Sequence, residues 1–415
     1  MNAVFRFGDL WQSLCQNHAH PMQPNLNSAM DAAVRSYTRL PVYETPEQVV
    51  ADLQPSYPVF CVRRHHISAV AEEFLEGFPG DVLYAVKCNP EPHMLETLFK
   101  AGIRHFDTAS LAEVALVAEQ LPEAKSYFMH PVKSRAAIRS AHEVYGVRHY
   151  VVDHETELNK IAEIIPPGPE TVIVVRVAIH YEGAVYELSS KFGAPVSDAI
   201  ALGRAALEKG YRYGVAFHVG SQCLDGEGFE QGLQLADEVI RGVGAEPVCV
   251  DVGGGFPGEY LNSMGQQMGS YFSSIKKGLS GLSLPDDCRV MCEPGRALCV
   301  DGESLITQVH LRKDEALYLN DGMYGSFIEE KYNLHLPIRP VATREFATEC
   351  QDYTLYGPTC DSLDIFPRTV SLPVDFQEGD WIEFDRIGAY GAACRTHFNG
   401  FFADTFVEVT GNFGD

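Results

Sequence analysis

Residues 247–255 read PVCVDVGGG, an apolar run that ends in an aspartate and three successive glycines. Seven further apolar runs between residues 80 and 297 also have a polar residue or a glycine in one of their last two positions. These runs are DVLYAVK (81–87), RHFDTAS (104–110), SYFMHP (126–131), HYVVD (149–153), TVIVVRV (171–177), YGVAFHVGS (213–221) and CRVMCEPG (288–295). Continuous apolar runs, in place of alternating ones, are typical of strands buried on both faces of a parallel sheet.

The stretches between these runs have helical periodicity. Examples are SLAEVALVAEQL (110–121), in which Ser110 and Glu113 match a capping box, and FEQGLQLADEVIRGV (229–243). Eight strands, each followed by a helix, predict an α/β fold built on a (β/α)8 TIM-like barrel. A doubly wound sheet remains the alternative, because the number of strands does not establish that the sheet closes.

A barrel would gather its catalytic groups at the C-terminal ends of the strands. Reactive residue types do occur at those ends in this sequence. They are Lys87, Asp107, His130, Asp153, Arg176, His218, Gly253, Gly254, Gly255 and Glu293.

The pattern changes after Arg296, where short strand-like runs alternate with turn residues and long helical stretches are lacking. These runs are SLITQVHL (304–311), EALYLND (315–321), RPVATR (339–344), DYTLYG (352–357) and WIEFDRIGAY (381–390). They predict a C-terminal antiparallel β domain. The strand-like run PVFCV (58–62) is expected to join it, so the predicted domains are a barrel at 64–298 and a discontinuous β domain at 1–63 and 299–415.

Composition excludes several classes of function. The formal net charge of the 415 residues is -24, which disfavours binding to nucleic acid or to an anionic membrane surface. No apolar run of about 18 residues predicts a transmembrane helix, and MNAVFRFGDLWQSL (1–14) lacks the features of a secretory signal. The 11 cysteines are scattered without a CxxC pair, which favours a reducing cytoplasm and no structural metal.

Lys87 ends an apolar strand, where partial desolvation is expected to lower its pKa and free the amine to attack a carbonyl. A lysine that merely extends from a barrel rim into solvent would give the same local pattern. The segment DVGGGFPG (251–258) adds information, because successive glycines let backbone N–H groups approach a phosphate. A tight turn would also require glycine.

The neighbouring strand ends favour a cofactor site. Arg296, in CEPGR (292–296), offers a permanent charge for a phosphate ester. Glu293 is placed to keep a ring nitrogen protonated, His218 to stack on the ring, and Ser221 to bind the phosphate. A lysine, a phosphate cradle and a carboxylate on one barrel face are the parts that pyridoxal 5'-phosphate (PLP) requires.

Nine motifs in this order make the family resemblance specific between about residues 58 and 401. They are YAVKCNP (84–90), FDTAS (106–110), SSKFG (189–193), FHVGSQ (217–222), DVGGG (251–255), CEPGR (292–296), NDGMYGSF (320–327), GPTCDSLD (357–364), and GAY (388–390) with FNGF (398–401). The chain resembles the eukaryotic-type ornithine decarboxylase group of the alanine-racemase-like (fold-type III) PLP enzymes.

The resemblance implies a role for each matching residue. Lys87 matches the lysine that holds the cofactor covalently, Glu293 the partner of its ring nitrogen and His218 the ring-stacking histidine. Asp107 and Glu113 match acidic residues beside that lysine, and Arg176 matches an arginine near the ring hydroxyl. Lys191 matches a lysine of the dimer contact. The implied cofactor set is Lys87, Asp107, Arg176, His218, Ser221, Gly254, Gly255, Glu293, Gly295, Arg296 and Tyr390.

The resemblance also implies an obligate homodimer with shared active sites. Cys360 and Asp361 match residues that the second subunit contributes: a cysteine that returns a proton to the α-carbon, and an aspartate that pairs with a distal ammonium. The implied reaction is decarboxylation of ornithine or lysine to putrescine or cadaverine and CO₂, for polyamine biosynthesis.

One departure affects the substrate. The family's ornithine enzymes have a Tyr-Asp pair where this chain has Tyr332 and Asn333, so one carboxylate is replaced by a neutral amide. Glu329 and Glu330 lie just upstream and are candidates to replace it. Diaminopimelate and arginine remain alternative substrates, although Cys360–Asp361 differs from the Cys-Glu usual in diaminopimelate decarboxylases. A racemase would replace the EPGR site, and a non-catalytic regulatory homologue would lose cofactor residues that this chain retains.

Overall fold

A computed structural model describes residues 39–188 and 190–414. The expectations about residues 1–38, including the absence of a secretory signal, lie outside the described residues. Leu40–Asp415 forms one unit. The described strands, in chain order, are β1 (Val42–Tyr43), β2 (Val59–Val62), β3 (Asp81–Ala85), β4 (His105–Thr108), β5 (Lys125–Phe128), β6 (His149–Val152), β7 (Val172–Arg176), β8 (Ala184–Tyr186), β9 (Arg212–Ala216), β10 (Ser221–Cys223), β11 (Cys249–Asp251), β12 (Arg289–Cys292), β13 (Glu303–Lys313), β14 (Ala316–Leu319), β15 (Ile338–Pro340), β16 (Cys350–Tyr356), β17 (Ile365–Pro373), β18 (Trp381–Phe384) and β19 (Thr405–Val409).

The described helices vary from single turns to helices of more than four turns. They are α1 (Pro46–Leu53), α2 (Arg64–Gly77), α3 (Pro92–Lys100), α4 (Leu111–Gln120), α5 (Arg135–Glu143), α6 (Glu155–Ala162), α7 (Val196–Glu208), α8 (Glu227–Val243), α9 (Met268–Leu279), α10 (Arg296–Cys299), α11 (Ile328–Lys331) and α12 (Gly391–Cys394). Three short 3-10 turns lie at Val86–Cys88, Val300–Gly302 and Phe398–Gly400. In the part of the chain that the structure covers, no helix combines the length and the apolar character needed to cross a membrane.

Eight strands close into a parallel barrel in the order β11-β12-β3-β4-β5-β6-β7-β9. Each of the eight apolar runs in the sequence supplies one of these strands, so the predicted TIM-like barrel is confirmed. Closure of the sheet rules out the doubly wound alternative. Because all eight strands run in the same direction, their C-terminal ends meet at one rim of the barrel.

Burial on both faces of the strands explains their continuous apolar sequences. Leu83, Val151 and Val174 belong to one buried cluster together with Met291, whereas the adjacent Val175 packs into a larger cluster that includes the barrel helices. Successive side chains of a strand point to opposite faces. The first cluster therefore fills the barrel interior, and the second joins the barrel to its helices.

Helix α4 shows how a local sequence signal sets the position of a helix at this rim. Ser110 caps it by accepting a hydrogen bond from the Glu113 N–H at 3.2 Å. The Glu113 carboxylate reaches back to the Ala109 N–H at 2.7 Å, one residue before the capping serine. The predicted helix start is confirmed, with the reciprocal bond displaced by one residue from that of a standard capping box.

The second sheet, as far as the structure describes it, has nine strands with the main order β1-β19-β2-β13-β14-β16-β17, while β18 pairs with β13 and β15. The predicted β domain is confirmed, and PVFCV joins it as β2, between β13 and β19. Most pairs are antiparallel, but β1–β19, β2–β19 and β14–β16 are parallel. The prediction did not include β17, which contains prolines, or β19. Proline is tolerated in β17 because this strand lies at the edge of the sheet.

Candidate active site

Lys87 follows β3 in the turn Val86–Cys88, and its amine lies beside the carboxylate of Asp107 in β4. The Nζ atom donates to Asp107 Oδ2 at 2.7 Å. The Asp107 side chain is 3% exposed, whereas that of Lys87 is 41% exposed. The amine therefore has one buried anionic partner and remains accessible on another side.

The predicted lowering of the Lys87 pKa is wrong. Burial acts in that direction, but the negative charges of Asp107, Glu293 and Glu113 outweigh it and raise the pKa of Lys87 above its ordinary value. Nearby carboxylates stabilise the ammonium form of a lysine. The ammonium form of Lys87 is therefore favoured, and the neutral, reactive amine requires loss of a proton.

The glycines after β11 adopt conformations that other residues would resist. Gly253 has φ +69 and Gly255 has φ +104, both in the left-handed region. The Gly253 N–H donates to Asp251 Oδ1 at 2.8 Å, and the Glu293 N–H donates to the Gly253 carbonyl at 2.8 Å. The loop is thereby held between the ends of β11 and β12.

Only glycine fits at position 254, because the surrounding atoms leave no room for a side chain. A Cβ atom at this position would lie 2.6 Å from the Glu293 carbonyl oxygen and 3.0 Å from His218 Nε2. We expect Gly254→Ala to weaken binding of the cofactor implied by the family resemblance by about 5- to 150-fold, because overpacking of this kind costs about 1–3 kcal/mol. Titration of the purified variant with PLP, followed by absorbance, measures this loss.

Gly269→Ala is the matched control for that substitution. A Cβ atom at Gly269 would meet no atom within 4 Å, and Gly269 lies in α9. Alanine is favoured over glycine within helices, so this variant should retain the affinity of the parent protein. Unchanged PLP affinity in Gly254→Ala would contradict the steric argument.

Asp251, which is buried at the end of β11, and Glu293, which is partly buried just after β12, bring two carboxyl groups to this rim. Burial, followed by the charge of Asp107, raises the pKa of Asp251. Burial, followed by the charges of Asp251 and Asp107, raises that of Glu293 well above its ordinary value. Because neighbouring buried carboxyl groups resist ionising together, the pair retains a proton near neutral pH. This proton can be shared with a basic atom of a bound ligand.

His218 presents a neutral ring. Its Nδ1 accepts a hydrogen bond from the Gly220 N–H at 3.2 Å, so the neutral imidazole carries its proton on Nε2. Burial, followed by the positive charges of Arg176 and Lys87, holds the pKa of His218 well below its ordinary value. The ring is therefore uncharged at neutral pH, which suits stacking against a flat ligand.

Arg296 begins α10 and is 5% exposed. Its Nη1 donates to the Tyr260 hydroxyl at 2.5 Å and to the Glu329 carboxylate, while Nη2 lies 3.4 Å from Ser221 Oγ. Its Nε is buried and has no hydrogen-bond partner. An unsatisfied buried donor is costly, so the free edge of this guanidinium fits an anionic ligand such as a phosphate ester.

Nine of the eleven predicted cofactor residues line one cavity, which has about 370 Å³ of empty space including its open mouth. The nine residues are Lys87, His218, Ser221, Gly254, Gly255, Glu293, Gly295, Arg296 and Tyr390. Leu188 and Phe256 add apolar surface.

The other two predicted cofactor residues act on the cavity from its edge. Asp107 bonds the Lys87 amine, and Arg176, at the end of β7, opposes the raised pKa of Glu293 through its positive charge. Arg176 and Lys191 both lie near the Phe192 ring, with Arg176 Cζ at 5.7 Å and Lys191 Nζ at 5.0 Å from its centroid.

Cys360 and Asp361 do not line this cavity. They lie in the loop between β16 and β17, where Cys360 is exposed and its N–H donates to Asn399 Oδ1 at 3.0 Å. Asp361 Oδ2 accepts a hydrogen bond from the Tyr324 hydroxyl at 2.6 Å, which lowers the pKa of Asp361. A single chain therefore does not bring the predicted proton donor and ammonium partner to Lys87.

The two glutamates proposed to replace the missing aspartate are already paired. Glu329 binds Arg296, and its side chain is 12% exposed. Glu330 is fully buried, where it accepts hydrogen bonds from Arg368 and from the Leu336 N–H and contacts His335. Glu330 does not line the cavity, and the structure therefore argues against the idea that either carboxylate is free to bind a substrate ammonium.

Asn333 has a conformational explanation. Tyr332 and Asn333 follow α11, both are exposed, and Asn333 has φ +62. Its N–H donates to the Glu330 carbonyl at 3.1 Å, and the Leu334 N–H donates to the Glu329 carbonyl at 3.3 Å. Asparagine is favoured over most residues in this left-handed position at a helix end, so Asn333 suits the turn.

Two polar residues that contact the site were missed in the sequence, besides the apolar lining residues. Asp251 stands in the quoted motif DVGGG, where a polar residue at the end of a buried strand was an available signal. Tyr260 is 1% exposed and bonds Arg296 from a loop after the glycines; nothing in its local sequence predicts this contact. Among the described residues, no group of three or more potential ligand side chains is arranged to hold a metal ion.

Comparison with known proteins identifies the family to which these features correspond. The model of the family "Pyridoxal-dependent decarboxylase, pyridoxal binding domain" matches residues 62–300. The lysine/ornithine decarboxylase of Selenomonas ruminantium is 31% identical, over 77% of this chain and 81% of its own. The ornithine decarboxylase of Cricetulus griseus is 33% identical, over 79% of this chain and 75% of its own.

A solved structure gives the same result for the fold. A variant of the Selenomonas ruminantium lysine decarboxylase in complex with PLP superimposes with a TM-score of 0.79 at 27% identity. The match covers 89% of this chain and 96% of that chain. Both the barrel and the second sheet are therefore shared over most of the two proteins.

Proposed function

This chain belongs to the pyridoxal-dependent decarboxylase family, and we propose that it uses PLP to decarboxylate a basic L-amino acid, ornithine or lysine. The observation that carries the proposal is the single cavity lined by Lys87, Glu293 and Arg296. It combines an amine, a carboxyl group whose pKa is raised and a free guanidinium edge. The relatives named for ornithine and lysine support the substrate class.

We propose that different residues of the cavity bind different parts of the cofactor. When bound, PLP supplies a carbonyl that takes up amino groups and a ring that accepts the electron pair left by CO₂. Arg296, Ser221, Gly254, Gly255 and Tyr390 would hold its phosphate.

The remaining cavity residues would act on the ring and on the amine. Lys87 would hold the cofactor covalently until the substrate amine replaces it. Glu293 would share a proton with the ring nitrogen, because burial and the charge of Asp251 raise the pKa of Glu293. The neutral His218 ring would lie against the cofactor, and Arg176 would limit the negative charge at its edge.

Two residues outside the cavity complete the proposal. Cys360 would supply the proton that replaces the lost carboxylate on the α-carbon. Asp361 would pair with the distal ammonium of the substrate, because Glu329 already binds Arg296 and Glu330 already binds Arg368. Because neither Cys360 nor Asp361 lines the Lys87 cavity of its own chain, we propose a homodimer in which each chain completes the other's site.

Measured substrate preference tests the proposal. We expect kcat/KM for ornithine or lysine to exceed that for diaminopimelate, arginine and norleucine, with CO₂ release as the measurement. Asp361→Ala should lower kcat/KM for the basic substrates by at least about 100-fold, since removing one partner of a buried charge costs about 3–5 kcal/mol. Its effect on norleucine, which has no distal amine, should be small.

Asp352→Ala is the matched control, because Asp352 is an exposed aspartate of the strand that precedes the same loop. It should leave the substrate preference unchanged. Best use of norleucine, or an unchanged preference for basic substrates in Asp361→Ala, would refute the role of charge pairing.

We also make proposals about the domain boundaries and the cellular location. We propose that residues 64–298 form the barrel domain and that, of the described residues, 39–63 and 299–414 form the second domain; the part of the predicted second domain at residues 1–38 lies outside the described residues. The barrel strands all fall between residues 81 and 292, with strands of the second sheet on either side in the sequence. We also propose a cytoplasmic enzyme, because the cysteines that the structure describes are unpaired thiols.

A further inference from the structure

The guanidinium of Arg296 has one occupied edge and one free edge. Nη1 donates to the Tyr260 hydroxyl and to the Glu329 carboxylate. Nε and Nη2 form the opposite edge, where Nε is buried without a partner and Nη2 has only the 3.4 Å contact with Ser221 Oγ. Parallel donors on one edge are the arrangement that binds a phosphate through two hydrogen bonds.

Glu329 approaches this arginine from outside the cavity. Arg296 and Ser221 line the cavity, whereas Glu329 and Tyr260 do not. The side chains of Arg296 and Glu329 are only 4% and 12% exposed, so little solvent competes for their contact. The carboxylate therefore leaves the Nε–Nη2 edge open to an anion.

We propose that Glu329 is a positioning residue for phosphate binding: together with Tyr260 it holds Nη1 of Arg296, and so aims the Nε–Nη2 edge at the phosphate of the cofactor. The proposal rests on the proposed function only for the identity of the ligand. It also explains why Glu329, which lies upstream of Asn333, is not free to bind the substrate.

The alternative is that Glu329 opposes phosphate binding by its charge. In a variant that removes the Glu329 side chain, the two roles predict opposite changes in the affinity for an anion. Without Glu329, Nη1 of Arg296 loses one of its two hydrogen-bond partners, and the guanidinium can rotate towards other acceptors. Ordering the guanidinium again then opposes ligand binding and lowers the affinity. With only charge repulsion removed, an anion would bind more tightly.

Titration of the full chain, freed of cofactor, with inorganic phosphate and with PLP decides between these effects. Phosphate binding is measured by the rise in the unfolding temperature of the protein, and PLP binding is measured by absorbance. We expect Glu329→Ala to weaken both ligands by at least fivefold. Pyridoxal, which lacks the phosphate, should bind the variant as well as it binds the parent protein.

Glu329→Gln is the conservative control, because its amide oxygen can still accept from Nη1. It should bind phosphate at least as tightly as the parent protein. In an Arg296→Lys background, Glu329→Ala should have no further effect, since lysine has no second edge to orient.

Several results would overturn the inference. These are unchanged or tighter phosphate binding by Glu329→Ala, a Glu329→Gln variant as weak as Glu329→Ala, or an equal loss of pyridoxal affinity. A parent protein that binds inorganic phosphate but not PLP would instead refute the proposed cofactor, and the phosphate titration would still decide the role of Glu329.

Discussion

Lys87→Ala should lower kcat by at least about 10³-fold, the largest effect that we expect from any single substitution. The amine of Lys87 lines the cavity that also contains Glu293 and Arg296, and no alanine can form a covalent bond to a carbonyl. Loss of a nucleophilic side chain typically removes most of the rate enhancement of an enzyme. The decrease is measured as CO₂ released per active site.

Reduction with borohydride and peptide mapping provide a second measurement that does not depend on activity. We expect the pyridoxyl group on Lys87 in the parent protein and no labelled peptide in Lys87→Ala. Label on Lys191, which lies beside Phe192, or on Lys133, which is buried against Glu157, would reject the assignment.

Lys87→Arg separates the covalent role from the structural role. Removing the amine leaves Asp107, which is 3% exposed, without its cation, and an unpaired buried charge destabilises a protein. Arginine retains the positive charge beside Asp107 but does not form the covalent link. Lys87→Arg should therefore fold as stably as the parent protein and remain unlabelled and inactive.

A 1:1 mixture of Lys87→Ala and Cys360→Ala chains should regain roughly a quarter of the parent activity, although each variant alone has little. Random exchange makes half of the dimers mixed, and each mixed dimer has one site with both native residues. The expectation follows from the position of Cys360, which is exposed and does not line the Lys87 cavity of its own chain.

The matched control mixes two variants of the same cavity, Lys87→Ala and Glu293→Ala. Both residues line one cavity within one chain, so no mixed dimer contains a complete site and activity should stay low. Exchange is verified by mass spectrometry of differently tagged chains. Equal behaviour of the two mixtures, with exchange verified, would show that Cys360 acts within its own chain or not at all.

The sequence by itself determined the eight barrel strands and most of the polar residues that line the cavity, whereas closure of the sheet came from the tertiary structure. Apolar runs as long as a strand, each ending in a reactive residue or a glycine, fix both the type of element and the end at which its side chain emerges. Strand ends of a parallel barrel meet at one rim, so Lys87, His218, Glu293 and Arg296 could be grouped before any distance was known. The position of β17 was lost because prolines argue against a strand unless it is known to lie at an edge.

Only the tertiary structure showed the direction of the Lys87 pKa shift and the cation that each of Glu329 and Glu330 binds. The Lys87 pKa is raised because Asp107, Glu293 and Glu113 come from different elements and meet around one amine. Charge interactions depend on distances in space, and sequence spacing does not give these distances.

Glu329 and Glu330 are adjacent in the sequence, yet they have different partners. The first meets Arg296 of α10, and the second meets Arg368 of β17. Neighbouring residues at a helix end point in different directions, and only the packing of α11 determined which cation each carboxylate reached. The sequence supplied the charges, and the three-dimensional packing determined which of them remained available for chemistry.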